Sequence, residues 1–171
     1  MRSSARARVA GAALVLFFAT GLSAASHQKV DATPEHARLD FVLKNASGVD
    51  VNLATFKGRP LVINVWATYC VPCKAEMPVL NALADEYRAR HLAVVGISYD
   101  DTAPAIAKFA RATPMRYPLL VGLGHDDLMD LYDAEGVLPV TWIIRADGTV
   151  VAKHMGAETR EWFETQVRAT F

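Results

Sequence analysis

Cys70 and Cys73 are the only cysteines of the chain, set three residues apart in Ala67-Thr68-Tyr69-Cys70-Val71-Pro72-Cys73-Lys74. They follow the apolar run Leu61-Val62-Ile63-Asn64-Val65-Trp66, which favours β structure, lacks alternation and so suits a central strand covered on both faces. A helical pattern begins directly after them. At such a strand-to-helix junction the free N–H groups and the dipole of the helix stabilise a thiolate. An ordinary thiol, with a pKa of about 8.5, is only about 3% thiolate at pH 7, whereas a pKa near 7 makes it about half thiolate. The chemistry this spacing supports is dithiol–disulfide exchange, with Cys70 attacking and Cys73, deeper on the helix, displacing whatever becomes attached. Pro72 suits the first helical turn, where its missing N–H costs nothing.

Glu76 lies three residues beyond Cys73, on the same helical face. A carboxylate there can accept the proton of Cys73, and its charge would disfavour the thiolate and move the couple toward reductant. The plainer reading is that it only complements the helix dipole. Trp66 reads first as core and second as a wall beside the cysteines. Lys74 reads as a solvated surface charge. A zinc half-site would need a second Cys pair or a close pair of histidines, whereas His27, His36, His91, His125 and His154 are scattered singly. No metal site and no cofactor beyond the cysteine pair is expected.

The elements that must position these residues can be read along the chain. Leu39–Leu43 and Val49–Leu53, joined across Asn45-Ala46-Ser47-Gly48, form a small antiparallel hairpin. Ala75, Val79, Leu80, Leu83, Ala84 and Tyr87 recur at helical spacing from Cys73 to Arg90, with Pro78 inside as a kink. Leu92–Ser98 is a second buried strand. Asp101-Thr102 offers a cap to a helix that ends near Thr113-Pro114, and a strand at Tyr117–Val121 and a helix from Asp126 to Tyr132 follow. Val140–Ile144 and Val150–His154 pair around Asp147-Gly148, and Thr159–Phe171 closes as a helix. This order predicts an α/β fold, a mixed central sheet with helices on both faces.

At 171 residues, about half of them apolar, the chain is long enough for one domain with a proper core. Arg2, Arg6 and Arg8 supply three of its 18 basic residues, so the remainder carries 15 against 18 acidic ones, and nucleic acid is an unsuitable partner. Those arginines precede an apolar run from Val9 to Ala19 and a small-residue stretch ending Ser23-Ala24-Ala25. Basic, apolar and small segments in that order make residues 1–25 a secretory signal or, if uncut, an N-terminal membrane anchor. Residues 26–37 read as a tether and 38–171 as the folded domain, placed outside the cytoplasm. There disulfides persist, but two cysteines so close cannot join distant parts of a fold, so the pair is for reaction.

From Val62 to Pro78 the chain resembles the thioredoxin-like superfamily, and more narrowly its exported TlpA-like and ResA-like thiol–disulfide oxidoreductases. The shared features are C-x-P-C, a basic residue next, Glu76 three after Cys73 and Pro78 two further on. Gly136-Val137-Leu138-Pro139-Val140-Thr141-Trp142 resembles the family's second signature, in which a cis proline faces the cysteines. The resemblance implies a thioredoxin-like fold with an N-terminal β-hairpin and a central helix-and-strand insertion. It further implies catalysis by Cys70, Cys73 and Glu76, and a client surface of Trp66, Tyr69, Pro72, Leu138 and Pro139. The backbone of Leu138 would dock an extended client strand. Tyr69 departs from the usual Trp. Asn64 stands where thioredoxin has a buried acid, so that proton-transfer route is missing here, which favours Glu76 as the proton acceptor over a plain dipole complement.

Implied partners are client protein disulfides and an upstream membrane thiol donor, in a periplasmic setting such as cytochrome c or oxidase maturation. Three other readings stay open. The first is a disulfide-forming oxidant. The second is a Cu(I) chaperone using both thiols and His154. The third is a peroxiredoxin-like peroxidase, which would need a hydroxyl three residues before its attacking cysteine, where Ala67 stands and Thr68 is off by one.

Overall fold

In the computed structural model, which describes residues 36–171 apart from Asp133 and Glu135, five strands form one mixed sheet. The signal or anchor segment and residues 26–35 of the tether lie outside the described residues. A separate hairpin leads, with β1 (Val42–Lys44) antiparallel to β2 (Asp50–Asn52) and Leu43 opposite Val51. Its turn needs a left-handed residue, supplied by Gly48 at φ 81°. The main sheet contains β3 (Leu61–Trp66), β4 (Ala93–Ser98), β5 (Leu119–Val121), β6 (Val140–Ile144) and β7 (Val150–Met155), in the order β5-β4-β3-β6-β7. β3 runs parallel to β4 and antiparallel to β6. The helices are α1 (Val71–Glu86), α2 (Ala103–Ala112), α3 (Asp126–Leu131) and α4 (Arg160–Arg168).

All six residues of β3 are buried, as its unbroken apolar run requires of a central strand. Leu61, Ile63 and Val65 face a core shared with Leu39, Phe41 and Leu43 of the leading segment and with Leu128 and Met129 of α3. Val62 and Trp66 point the other way, against Met77, Leu80 and Leu83 of α1, Ile106 of α2, and Phe163 and Val167 of α4. Asn64 belongs to this second set by the two-residue period of a strand, so its amide is carried beneath α1. The fold is α/β and thioredoxin-like, and α2 with β5 forms the inserted helix and strand.

Several boundaries differ from the expected ones. α1 begins at Val71 rather than Cys73 because Cys70 itself is the cap, and it runs through Pro78 as one helix. It ends at Glu86 rather than Arg90; a 3₁₀ turn at Arg88–Arg90 and His91 at φ 60° stop it and turn the chain into β4. The cap of α2 is Thr102, whose hydroxyl accepts from Ala105 N, and Asp101 is engaged elsewhere. His36 bridges Thr149, and Ala37 N donates to Gly148 O at 2.9 Å, so these last two tether residues are part of the domain. A two-residue backbone pairing leaves no period for sequence to show. Among the described residues no helix is long and apolar enough to cross a membrane.

Candidate active site

The turn leading out of β3 brings Cys70 to the N-cap of α1. Cys70 N donates to Ala67 O at 3.1 Å, and Cys73 N donates to Cys70 Sγ at 3.2 Å. The cap acceptor of this helix is thus a sulfur, aligned with the dipole and with a free N–H of the first turn. Cys70 and Cys73 are joined as a disulfide. Cys70 keeps 7% exposure and Cys73 none, so an incoming thiol or thiolate reaches Cys70.

This turn is held from below by Asp101. Its carboxylate accepts from Thr68 N at 2.7 Å, from the Thr68 hydroxyl, and from the Ser98 hydroxyl at 2.7 Å. Asp101 is 9% exposed, and these three donors satisfy its buried oxygens. Sequence placed Asp101 at a helix cap and gave no sign of this contact across 33 residues.

Glu76 is 2% exposed, one helical turn beyond Cys73 on the buried side of α1. Its Oε1 accepts from Asn64 Nδ2 at 2.7 Å and its Oε2 from Glu158 N at 3.4 Å. Asn64 Nδ2 also donates to Thr141 Oγ1 at 3.0 Å. Burial pushes the Glu76 carboxyl up from its usual 4.5 to about 7; the Asn64 and Glu158 hydrogen bonds pull the other way and the Glu158 charge adds to the rise. A carboxyl that changes charge near neutrality has the chemistry to take and return a proton. Asn64 thus places its amide, rather than an acid, against the carboxyl that α1 brings.

Beside Cys70 a cavity of about 280 Å³ is lined by Tyr69, Pro72, Tyr99, Gly136 and Leu138. Tyr69 is 61% exposed and its hydroxyl donates to Asp100 Oδ2 at 3.1 Å. The Leu138–Pro139 bond is cis. Pro139 is buried and its carbonyl accepts from Gly156 N at 2.7 Å, so Leu138 is the member of that pair that faces the cavity. Trp66 corrects the expectation for a wall residue: it has no exposed surface, packs on Phe109 at 4.9 Å between ring centroids, and supports the site from within. Tyr99 was not singled out by sequence, because a residue just past a strand carries no mark of which cavity it will enter.

Two other site readings can be set against the geometry. Ala67, three residues before Cys70, is buried and offers no hydroxyl, and the Thr68 hydroxyl is committed to Asp101. His154 on β7 pairs with Glu158, Nε2 to Oε1 at 3.3 Å. Among the described residues no group of three or more His, Cys, Asp or Glu side chains is placed to hold a metal ion.

Comparison with known proteins gives the same picture. The AhpC/TSA family model matches residues 34–153. The thiol-disulfide oxidoreductase ResA of Bacillus cereus is 30% identical over 125 residues, covering 73% of this chain and 71% of the relative. ResA of Geobacillus kaustophilus is 28% identical over 130 residues, covering 76% and 74%. Among solved structures, a thiol:disulfide interchange protein of the thioredoxin family from Chlorobium tepidum superposes with TM-score 0.70 at 23% identity, covering 82% of this chain and 98% of that one. A secreted Mycobacterium tuberculosis disulfide oxidoreductase gives 0.68 at 24%, covering 77% and 96%. At these identities the two structures speak for the fold.

Proposed function

Because this chain belongs to the AhpC/TSA family and is a thiol–disulfide oxidoreductase, we propose that it works as a reductant of protein disulfides outside the cytoplasm. The observation that carries the direction is the buried Glu76 carboxyl one helical turn beyond a fully buried Cys73. In the reduced enzyme the Cys70 thiolate attacks one sulfur of a client disulfide. A Cys70–client bond forms, and the client's other sulfur leaves as a thiolate and takes a proton. The Cys73 thiol then gives its proton to the Glu76 carboxylate and attacks Cys70 Sγ. The client's second cysteine leaves reduced, two electrons have passed to the client, and the enzyme is left as the Cys70–Cys73 disulfide. A negative Glu76 beside Cys73 raises the cost of a second thiolate, which favours the disulfide over the reduced pair and makes the couple more reducing.

Tyr69, Pro72 and Leu138 form the client surface, with the exposed edge of Tyr69 and the backbone of Leu138 receiving an extended segment beside its cysteine. The protein uses no cofactor beyond its cysteine pair and is recharged by a membrane thiol donor. The N-terminal basic and apolar segments support export, with residues 1–25 removed or retained as an anchor. Preparation of cytochrome c or oxidase thiols is the setting that the family resemblance suggests.

Equilibration with glutathione tests the direction. A potential more reducing than about −200 mV is expected, with Glu76→Gln moving it upward and slowing resolution of a mixed disulfide. A potential near about −120 mV, the range of a strong oxidant, would overturn the reductant reading in favour of a disulfide-forming one.

A further inference from the structure

A row of polar groups crosses the sheet beneath α1. Asn64 of β3 stands opposite Thr141 of β6, and Thr141 stands opposite His154 of β7. The strand pleat therefore sets the three side chains on one face, running from the buried centre to an edge where His154 is 35% exposed. Glu76 lies over the inner end of this row, and the segment from His154 to Thr159 closes over it. That segment is fastened at four points. The His154 imidazole meets Glu158 Oε1 at 3.3 Å, Gly156 N donates to Pro139 O at 2.7 Å, Glu158 N donates to Glu76 Oε2 at 3.4 Å, and Thr159 caps α4 by accepting from Trp162 N. Glu158 thus touches the buried carboxyl with its main chain and the edge histidine with its side chain.

We propose that Glu158 and His154 act as a positioning pair that controls the charge on Glu76, and so the pH range over which Cys73 can be deprotonated to release a client. The proposal rests on the reading of Glu76 as proton acceptor and adds the device that tunes it. Glu158 carries a negative charge close to Glu76 and opposes its ionisation. His154, whose Nε2 lies 3.3 Å from Glu158 Oε1, offsets that charge whenever the imidazole carries a proton. Among the described residues the other ionisable group that bears on Glu76 is Tyr117, before β5, whose phenol is buried and held neutral; Cys73, one turn back on the same helix, is tied in the disulfide, and Asn64 and Thr141 are neutral. His154 also packs on Trp162 of α4, ring centroids 5.4 Å apart, which fixes the imidazole over Glu158.

The test is the titration of the Glu76 carboxyl in full-length oxidised protein, followed by carbon NMR with Glu76→Gln identifying the signal. Glu158→Gln, which retains the main-chain N–H toward Glu76, should move the midpoint down by about half a pH unit or more. His154→Gln should move it up, and by less once Glu158 is also Gln, because the histidine acts through that carboxylate. Opposite signs and this coupling are not expected of residues that merely hold the segment in place. If Glu158→Gln does not fold, the upward shift in His154→Gln decides alone. A midpoint unmoved in the folded variants overturns the proposal, even where Glu76→Gln still slows resolution; if Glu76→Gln leaves resolution unchanged, the proton-acceptor reading itself falls.

Discussion

Replacing Glu76 by Gln should change how the stability of the oxidised protein depends on pH. The folded carboxyl loses its proton near 7 and the unfolded one near its ordinary 4.5. Between those values the folded state holds a proton that the unfolded state has already released. Stability from this group is therefore complete below about 4.5, falls as pH rises through the interval, and is flat above about 7. A separation of about 2.5 pH units at 1.36 kcal/mol each comes to about 3 kcal/mol. Gln has the same shape, can keep a hydrogen bond to Asn64, and does not titrate. Its stability relative to the natural protein should thus improve by about 3 kcal/mol between pH 4 and pH 8. Urea unfolding with the disulfide intact, at fixed ionic strength and several pH values, reads this directly, because all other carboxylates cancel in the difference. A difference constant to within about 0.5 kcal/mol over that range would refute the placement of an ionising Glu76 in the core.

Cys73→Ser should accumulate mixed disulfides between Cys70 and clients, visible as thiol-sensitive adducts on gels, whereas Cys70→Ser should form none and lose all turnover. Asp101→Ala strips the acceptor from two Thr68 donors and from the Ser98 hydroxyl and should cost about 2–4 kcal/mol in urea unfolding, with Cys70 alkylation kinetics changed because its turn is released. Gly122→Ala would place a methyl 2.4 Å from the Ser98 carbonyl oxygen and 2.2 Å from Met129 Cε, so a loss of about 2–3 kcal/mol is expected in thermal unfolding. Asn64→Leu removes the stronger of the two hydrogen bonds to Glu76 and should move the carboxyl titration upward, read by the same carbon NMR signal.

Sequence by itself determined what was carried by local pattern. The unbroken apolar run at Leu61–Trp66, the cysteines at its exit and Pro72 in the next turn dictate a buried strand, a sharp turn and a helix with sulfur at its start, because each depends on neighbours a few residues away. The helical spacing of Glu76 put it on the face of Cys73 for the same reason. Tertiary structure decided everything that depends on distant segments meeting. Only packing shows that Glu76 is buried deeply enough to ionise near neutrality, that Asn64 and Glu158 hold it, and that Asp101 rather than a nearby residue fixes the turn. Trp66 shows the limit most clearly: sequence read it first as core and second as a wall of the client surface, and only the packing of β3, which leaves it no exposed surface, chose the core. A side chain's ionisation depends on the dielectric and dipoles around it, and those are set by residues up to 82 positions away along the chain.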